Sequence, residues 1–171
     1  MLCVYLIRHA PAFPRDRKRW PDDRERGLTP EGMKKFRQAA PGLECIAGAV
    51  ECVLTSPLVR ARQTAEILTR VTGWPRALEA PELAPGRTPA QALALIRSHS
   101  VECLALVGHE PNLTELLAVC IAGPGARVGC ELKKGGVIAL SFATTARAGQ
   151  GQLNWLATPR TLRAIAKRSA R

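Results

Sequence analysis

The stretch "LIRHAPA" (residues 6–12) ends an apolar run containing Val4, Leu6 and Ile7 in two adjacent polar residues, Arg8 and His9. A histidine beside a fixed guanidinium is equipped to handle a phosphoryl group. The imidazole offers a nucleophilic nitrogen, and the guanidinium offers forked donors that match phosphate oxygens better than a lysine would. Cations close to His9 also disfavour its protonation and keep that nitrogen free. Two more apolar runs end in the same way: 52–54 leads into Thr55-Ser56-Pro57 with Arg60 close behind, and 103–107 leads into Gly108-His109-Glu110-Pro111. Taken singly, each has an ordinary reading as a strand-end histidine, a surface arginine or a histidine before a helix. Together, Arg8, His9, Arg60 and His109 form a set suited to phosphoryl transfer, where positioning and charge stabilisation outweigh covalent work by the protein. His99, in Arg97-Ser98-His99-Ser100, has no such company and reads as structural.

The elements that must position these residues follow from patterning. Apolar runs at 2–7, 52–54, 103–107 and 137–142 have strand length, and the first three are near-continuous, as in parallel strands buried on both faces. A strand at 152–157 is placed to pair with 137–142 through a turn at Gly149–Gly151. Thr29-Pro30, Ser56-Pro57 and Thr158-Pro159 each offer an N-cap followed by proline in the first turn. Thr88-Pro89-Ala90-Gln91 and Asn112-Leu113-Thr114-Glu115 read as capping boxes. Leu58, Ala61, Ala65 and Leu68 mark the buried face of the second helix, and Pro41-Gly42 should kink or end the first. Strands alternating with helices predict an α/β sandwich with a mainly parallel sheet, in a single domain over residues 1–171. Ligands of such sheets bind beyond the carboxyl ends of the strands. That rule gathers Arg8, His9, Arg60 and His109 at one edge, where helix N-termini expected at 57 and 113 add partial positive charge for an anion.

Composition excludes several classes. With 46% hydrophobic and 23% charged residues, the chain is of globular type, not disordered. No apolar run approaches the ~20 residues of a membrane span, and no signal peptide is expected from the short, unflanked apolar N-terminus. Among the six cysteines, Cys3, Cys52 and Cys103 each open an apolar run and no CxxC pair occurs. They read as reduced core residues of a cytoplasmic protein, with no zinc site. The net charge of +11 favours acidic or phosphorylated partners. Much of it lies in Arg15, Arg17, Lys18 and Arg19 and in Arg160, Arg163, Lys167, Arg168 and Arg171, which read as solvated faces. A basic nucleic-acid or polyanion-binding module is the competing class. Aromatic content of 4% leaves few platforms for stacking bases, so no specific nucleic-acid partner is expected.

The stretches "LIRHAPA", "LTPEG", "VLTSPLVRARQTAEIL", "PELAPG", "LVGHEP" and "LNWLATP" together resemble, in order and spacing, the histidine phosphatase (phosphoglycerate mutase-like) superfamily. Within it they are similar to the SixA-type phosphohistidine phosphatases, over about residues 2–165. The resemblance implies a three-layer α/β/α sandwich. It implies that His9 is the nucleophile that becomes phosphorylated, while Arg8, Arg60 and His109 hold the phosphoryl oxygens. It also implies phosphatase activity without a cofactor or metal, the positive charge coming from arginine, imidazolium and helix ends. The expected partner is a phosphohistidine-bearing signalling or phosphotransfer protein, since the chain lacks the insertions that close over small substrates. A small phosphomonoester, handled by a phosphatase or mutase, is the alternative. Two positions stand apart. Ala10 occupies a place where the family usually has glycine, which reaches positive φ more cheaply. Glu82 in "APELAPG" matches the glutamate that protonates the leaving group in mutase-like members; otherwise it is a loop carboxylate paired with an arginine.

Overall fold

In the computed structural model, which describes residues 1–169, the N-terminal apolar run is strand β1 (Leu2–Arg8). Val4 and Leu6 enter one apolar core and Tyr5 and Ile7 another, the period of two that a strand imposes. β4 (Cys103–Gly108) and β5 (Val137–Phe142) divide their side chains in the same way. Because both faces are covered, these strands read as continuous apolar runs.

With β2 (Cys52–Thr55), β3 (Leu78–Glu79) and β6 (Gln152–Ala157), the sheet has the order β3-β2-β4-β1-β5-β6. β3, β2, β4 and β1 run parallel, whereas β5 lies antiparallel to both β1 and β6. Helices α1 (Pro30–Ile46), α2 (Val59–Thr72) and α5 (Pro159–Ser169) bury Phe36, Ala61 and Leu162 against one face. α3 (Pro89–Arg97) and α4 (Asn112–Ala122) bury Leu93 and Leu116 against the other, completing the expected α/β/α sandwich.

Several local expectations are borne out. Thr29 Oγ1 accepts from Gly32 N–H, Thr88 and Gln91 form a reciprocal capping box, and Thr161 N–H donates to Thr158 Oγ1. Others are corrected. α2 begins at Val59, not at Pro57, and the Ser56 hydroxyl there both accepts from Leu58 N–H at 3.4 Å and meets His109 Nε2. α4 begins at Asn112, and no capping box forms there. Asn112 donates to the carbonyl of Arg87, and the Glu110 carboxylate accepts from Thr114 N–H and its hydroxyl. Pro41 does not end α1. The helix continues to Ile46, and Gly42 lets α5 approach so closely that a Cβ there would sit 1.9 Å from Leu162 O.

β3 escaped the patterning because it is two residues long and Leu78 is exposed. Of the cysteines read as core, Cys103 is buried, but Cys3 and Cys52 are half-buried. The N-terminal arginines and lysine of the 15–19 cluster are exposed, as are Arg160, Lys167 and Arg168; Arg171 lies outside the described residues. Among the described residues no helix is long and apolar enough to cross a membrane.

Candidate active site

Strand register brings the two histidines together. Arg8 stands opposite Gly108 in the β1–β4 ladder, and His9 N–H adds one more bond to Gly108 O at 3.1 Å. His9 and His109 therefore leave the sheet side by side, with ring centroids 5.1 Å apart. Ser56 N–H extends β2 along the same edge by donating to Val107 O, and Ser56 Oγ lies 2.8 Å from His109 Nε2. Both rings are buried.

His9 has a defined tautomer. Its Nδ1 lies 2.7 Å from Ala10 O, and a carbonyl can only accept, so Nδ1 carries the proton and Nε2 keeps its lone pair. Burial, reinforced by Arg60, Arg8 and Lys134, lowers the His9 pKa to about 3, against the pull of the Ala10 carbonyl. The ring is neutral at physiological pH. His109 is pushed lower still, to about 2, by burial and then by His9, Arg60 and Arg26. Before an anion arrives, His109 is a neutral ring.

The backbone around His9 is fixed from several sides. Ala10 N–H donates to Thr64 Oγ1, which itself donates to Arg60 O and so ties the loop to the first turn of α2. Ala10 is not at positive φ, so its Cβ costs nothing here, and it is fully buried. Gly32 is needed beyond Ala10. A Cβ there would meet Pro11 O at 2.1 Å, so the glycine of "LTPEG" lets α1 start against the histidine loop.

Arg60 is buried in the first turn of α2, where Nη1 donates to Asp23 O at 2.9 Å and Nη2 forms an ion pair with Asp23 Oδ2 at 3.1 Å. Arg8 Nη1 donates to Leu132 O at 2.8 Å. The Nε–H groups of Arg8 and Arg60 are both buried without a protein acceptor. Unsatisfied buried donors on arginine are costly and call for an acceptor that the fold itself does not provide. The four residues expected at this edge are therefore brought together.

Glu82 reaches the same edge in a short helical turn, Pro81–Leu83, held to β2 by Ala80 N–H to Thr55 O at 2.8 Å. Leu83 O lies 3.7 Å from where a Gly108 Cβ would be, which puts the turn beside the end of β4. Among the described residues Glu82 has no arginine partner, so the paired-loop alternative is not what forms. His99 bonds through Nδ1 to Leu95 O, a local structural role as expected.

Sequence reasoning missed Asp23 and Arg26. Arg26 is buried and donates through Nε to Asp23 Oδ1 at 2.7 Å and through Nη1 to Phe13 O at 2.7 Å. Asp23 thus bridges Arg26 and Arg60, with Arg15 Nε at 3.8 Å. Its carboxyl is held below the usual range, first by the Arg26 hydrogen bond and then by the nearby guanidiniums. In a 13–27 segment crowded with charged residues, no local spacing separates these two from solvated neighbours. Lys134 was missed as well; its ammonium pKa is lowered by burial and by Arg8, Arg26 and Arg60. No group of three or more His, Cys, Asp or Glu side chains that could hold a metal occurs among the described residues.

This geometry coincides with clear likeness to known proteins. The sequence profile of the Histidine phosphatase superfamily (branch 1) matches residues 4–84, which span Arg8, His9, Arg60 and Glu82. An uncharacterized protein of Picosynechococcus sp. is 36% identical over 141 residues, covering 80% of this chain and 83% of its own. The structure of the protein histidine phosphatase SixA complexed with tungstate superposes with a TM-score of 0.79 at 25% identity, over 94% of this chain and 99% of that one. A SixA candidate from Agrobacterium tumefaciens aligns with a TM-score of 0.74 at 23% identity, over 92% of this chain and 98% of its own, which speaks to the fold. From the strand-end histidines, the profile match and these whole-chain likenesses, the chain belongs to the histidine phosphatase superfamily and is of the SixA type.

Proposed function

We propose that this protein is a phosphohistidine phosphatase working through a phosphorylated His9. The observation that carries the reading is a neutral imidazole with its Nδ1 proton committed to Ala10 O, beside two guanidiniums, of Arg8 and Arg60, whose buried Nε–H groups lack acceptors. Phosphoryl oxygens would satisfy those donors, and Arg8 and Arg60 would carry the charge of the transition state. His9 Nε2 attacks phosphorus as the bond to the substrate's imidazole nitrogen breaks, and that imidazole, already protonated on its other ring nitrogen, leaves as a neutral ring. The Nδ1–H bond to Ala10 O stabilises the cationic phosphoimidazole left on His9. Water then attacks phosphorus, the P–Nε2 bond breaks, and phosphate departs with His9 restored. His109, neutral beforehand, gains a reason to protonate once the phosphoryl anion is bound beside it. The tungstate held by the SixA relative, a tetrahedral oxyanion, supports an oxyanion in this pocket. Six free thiols suit the cytoplasm, where they stay reduced.

The test is to trap the intermediate. Incubation with a histidine-phosphorylated protein and rapid denaturation should leave acid-labile phosphate on the wild-type chain. His9→Ala should form none and lose turnover while keeping its circular dichroism spectrum; turnover that survives this change would refute the nucleophile. One observation favours a second reading, hydrolysis of small phosphate esters: Glu82 stands at the catalytic edge without an arginine partner, where an alkoxide leaving group would need an acid.

A further inference from the structure

Next to the histidine pair lies a cleft of about 180 Å³ that the reaction above leaves unused, floored by Pro11, Phe36, Gly135 and Pro159. Its place is set by the catalytic loop: Gly135 N–H donates to the carbonyls of Arg8 and His9 at 3.0 and 3.1 Å, and Pro11 follows two residues after His9. The cleft exists because this turn has no side chain. Gly135 sits at φ +77°, and a Cβ there would lie 3.1 Å from Phe36 Cδ2 and 3.5 Å from Pro159 Cγ. A volume of about 180 Å³ is near the roughly 150 Å³ that accepts a benzene ring, so one leucine, methionine or phenylalanine side chain fits.

The rim is cationic on three sides, with Lys35 from α1, Lys134 from the turn before β5 and Arg163 from α5, and no acidic side chain lines the cleft among the described residues. Lys134 and Arg163 form no ion pair among those residues, and Lys35 has only an exposed contact with Glu31 at 3.3 Å. An apolar floor inside a basic rim complements an apolar side chain set among carboxylates. A nucleic acid would meet the cations, but Phe36 is only 2% exposed and offers no face for a base. A small phosphorylated substrate would end inside the histidine pocket and leave the cleft unfilled.

We propose that this cleft docks the phosphohistidine-bearing protein itself, seating an apolar residue close to the phosphohistidine while Lys35, Lys134 and Arg163 pair with acidic residues around it. The assignment rests on the phosphohistidine reading and names the surface chemistry of the partner. Rim charges of this kind set encounter rate and partner choice more than intrinsic turnover.

Two phosphohistidine peptides that differ only in their flanks, leucine with aspartates or serine with lysines, provide the test, with free phosphohistidine as control. Wild type should prefer the leucine–aspartate peptide by at least about tenfold in kcat/KM, a preference that falls as ionic strength rises. The double variant Lys35→Glu/Arg163→Glu should abolish the preference through KM while hydrolysing free phosphohistidine at the wild-type rate. Hydrolysis of both peptides without preference, or a preference that survives the double variant, overturns the docking site alone. A dimer that the double variant dissociates, with no flank preference in either protein, would assign the cleft to a second copy and overturn it too. Failure of wild type to hydrolyse any phosphohistidine compound would instead sink the functional reading beneath it.

Discussion

Arg60 and Asp23 meet at 3.1 Å, but the regions that deliver them are held by different forces. Arg8, His9, Ser56 and His109 continue the ladders of β1, β2 and β4, and Arg60 follows within the first turn of α2. Backbone hydrogen bonds and a core on both faces of the sheet lock these residues, and the Arg60 side chain is 3% exposed. Asp23 and Arg26 come from the segment between β1 and α1. Its ends are pinned by the Ala12–Leu28 bridge and by Phe13 N–H to Gly27 O, and its middle by ion pairs to the 41%-exposed Asp23 side chain. Glu82, also loop-borne, has no ionic tether among the described residues. Strand-end groups are preorganised and insensitive to salt. Loop groups are screened, replaceable and suited to tuning which phosphate binds.

That contrast can be broken by mutation. The largest expected separation concerns Glu82→Gln, which should slow hydrolysis of alkyl phosphate esters by about 10²–10⁴-fold, the range of general acid catalysis, while sparing phosphohistidine. A protonated imidazole leaves without a protein acid, whereas an alkoxide does not. Comparing kcat/KM on both substrates decides it; equal losses would show that Glu82 has no substrate-dependent role, and no loss on either would make it a structural loop residue. On the strand side, Arg60→Ala should cost roughly 10²–10³ in kcat on every substrate, the scale for one preorganised donor to developing charge. A near-native rate would place the chemistry elsewhere.

The buried histidines also predict an acid sensitivity of the fold. Both have folded-state pKa values, about 3 for His9 and about 2 for His109, below those of the unfolded chain. As pH falls below about 6.5 the unfolded state binds protons that the native state refuses, so stability complete above that value drains away toward about pH 3. Between pH 7 and 5 each neutral buried histidine should account for about 2 kcal/mol of that loss. His109→Gln should therefore lose about 2 kcal/mol less than wild type in denaturant titrations at the two pH values. Identical losses would mean that His109 ionises freely in the folded protein.

The smallest effect belongs to the loop. Asp23→Asn removes an anion that occupies the buried Arg60 and Arg26, but because Asp23 itself is 41% exposed, solvent screening keeps the effect near the roughly 0.2–1 kcal/mol of surface pairs. Inorganic phosphate should then inhibit about two- to fivefold more tightly, measured as a competitive constant. Weaker inhibition would show that Asp23 is needed to hold the guanidiniums in place.

The legibility of the site divides along the same line. Arg8, His9 and His109 were readable because each ends a run that can only be a buried strand, and Arg60 because it opens a helix next to another such end. Asp23 and Arg26 were not, because burial of Arg26 depends on a fold-back onto Phe13 and α2 that leaves no periodic trace. The displaced start of α2 has a similar cause. Ser56 is a good N-cap locally, but its hydroxyl is shared between Leu58 N–H and His109, a partner distant in sequence.

Apolar periodicity, proline-marked helix starts and the ordering of strands and helices are properties of a few neighbouring residues. They were sufficient to determine an α/β sandwich and to send Arg8, His9, Arg60 and His109 to one sheet edge. Tertiary structure decided what those residues are once there. The β1–β4 register sets the two rings 5.1 Å apart, and the turn at Ala10 chooses the His9 tautomer. Desolvation beside several cations makes both histidines neutral, and the side-chain-free turn at Gly135 opens a basic-rimmed cleft beside them. Each of these depends on groups brought together from separate segments, and the energies of charge and burial are set by such neighbours rather than by position along the chain.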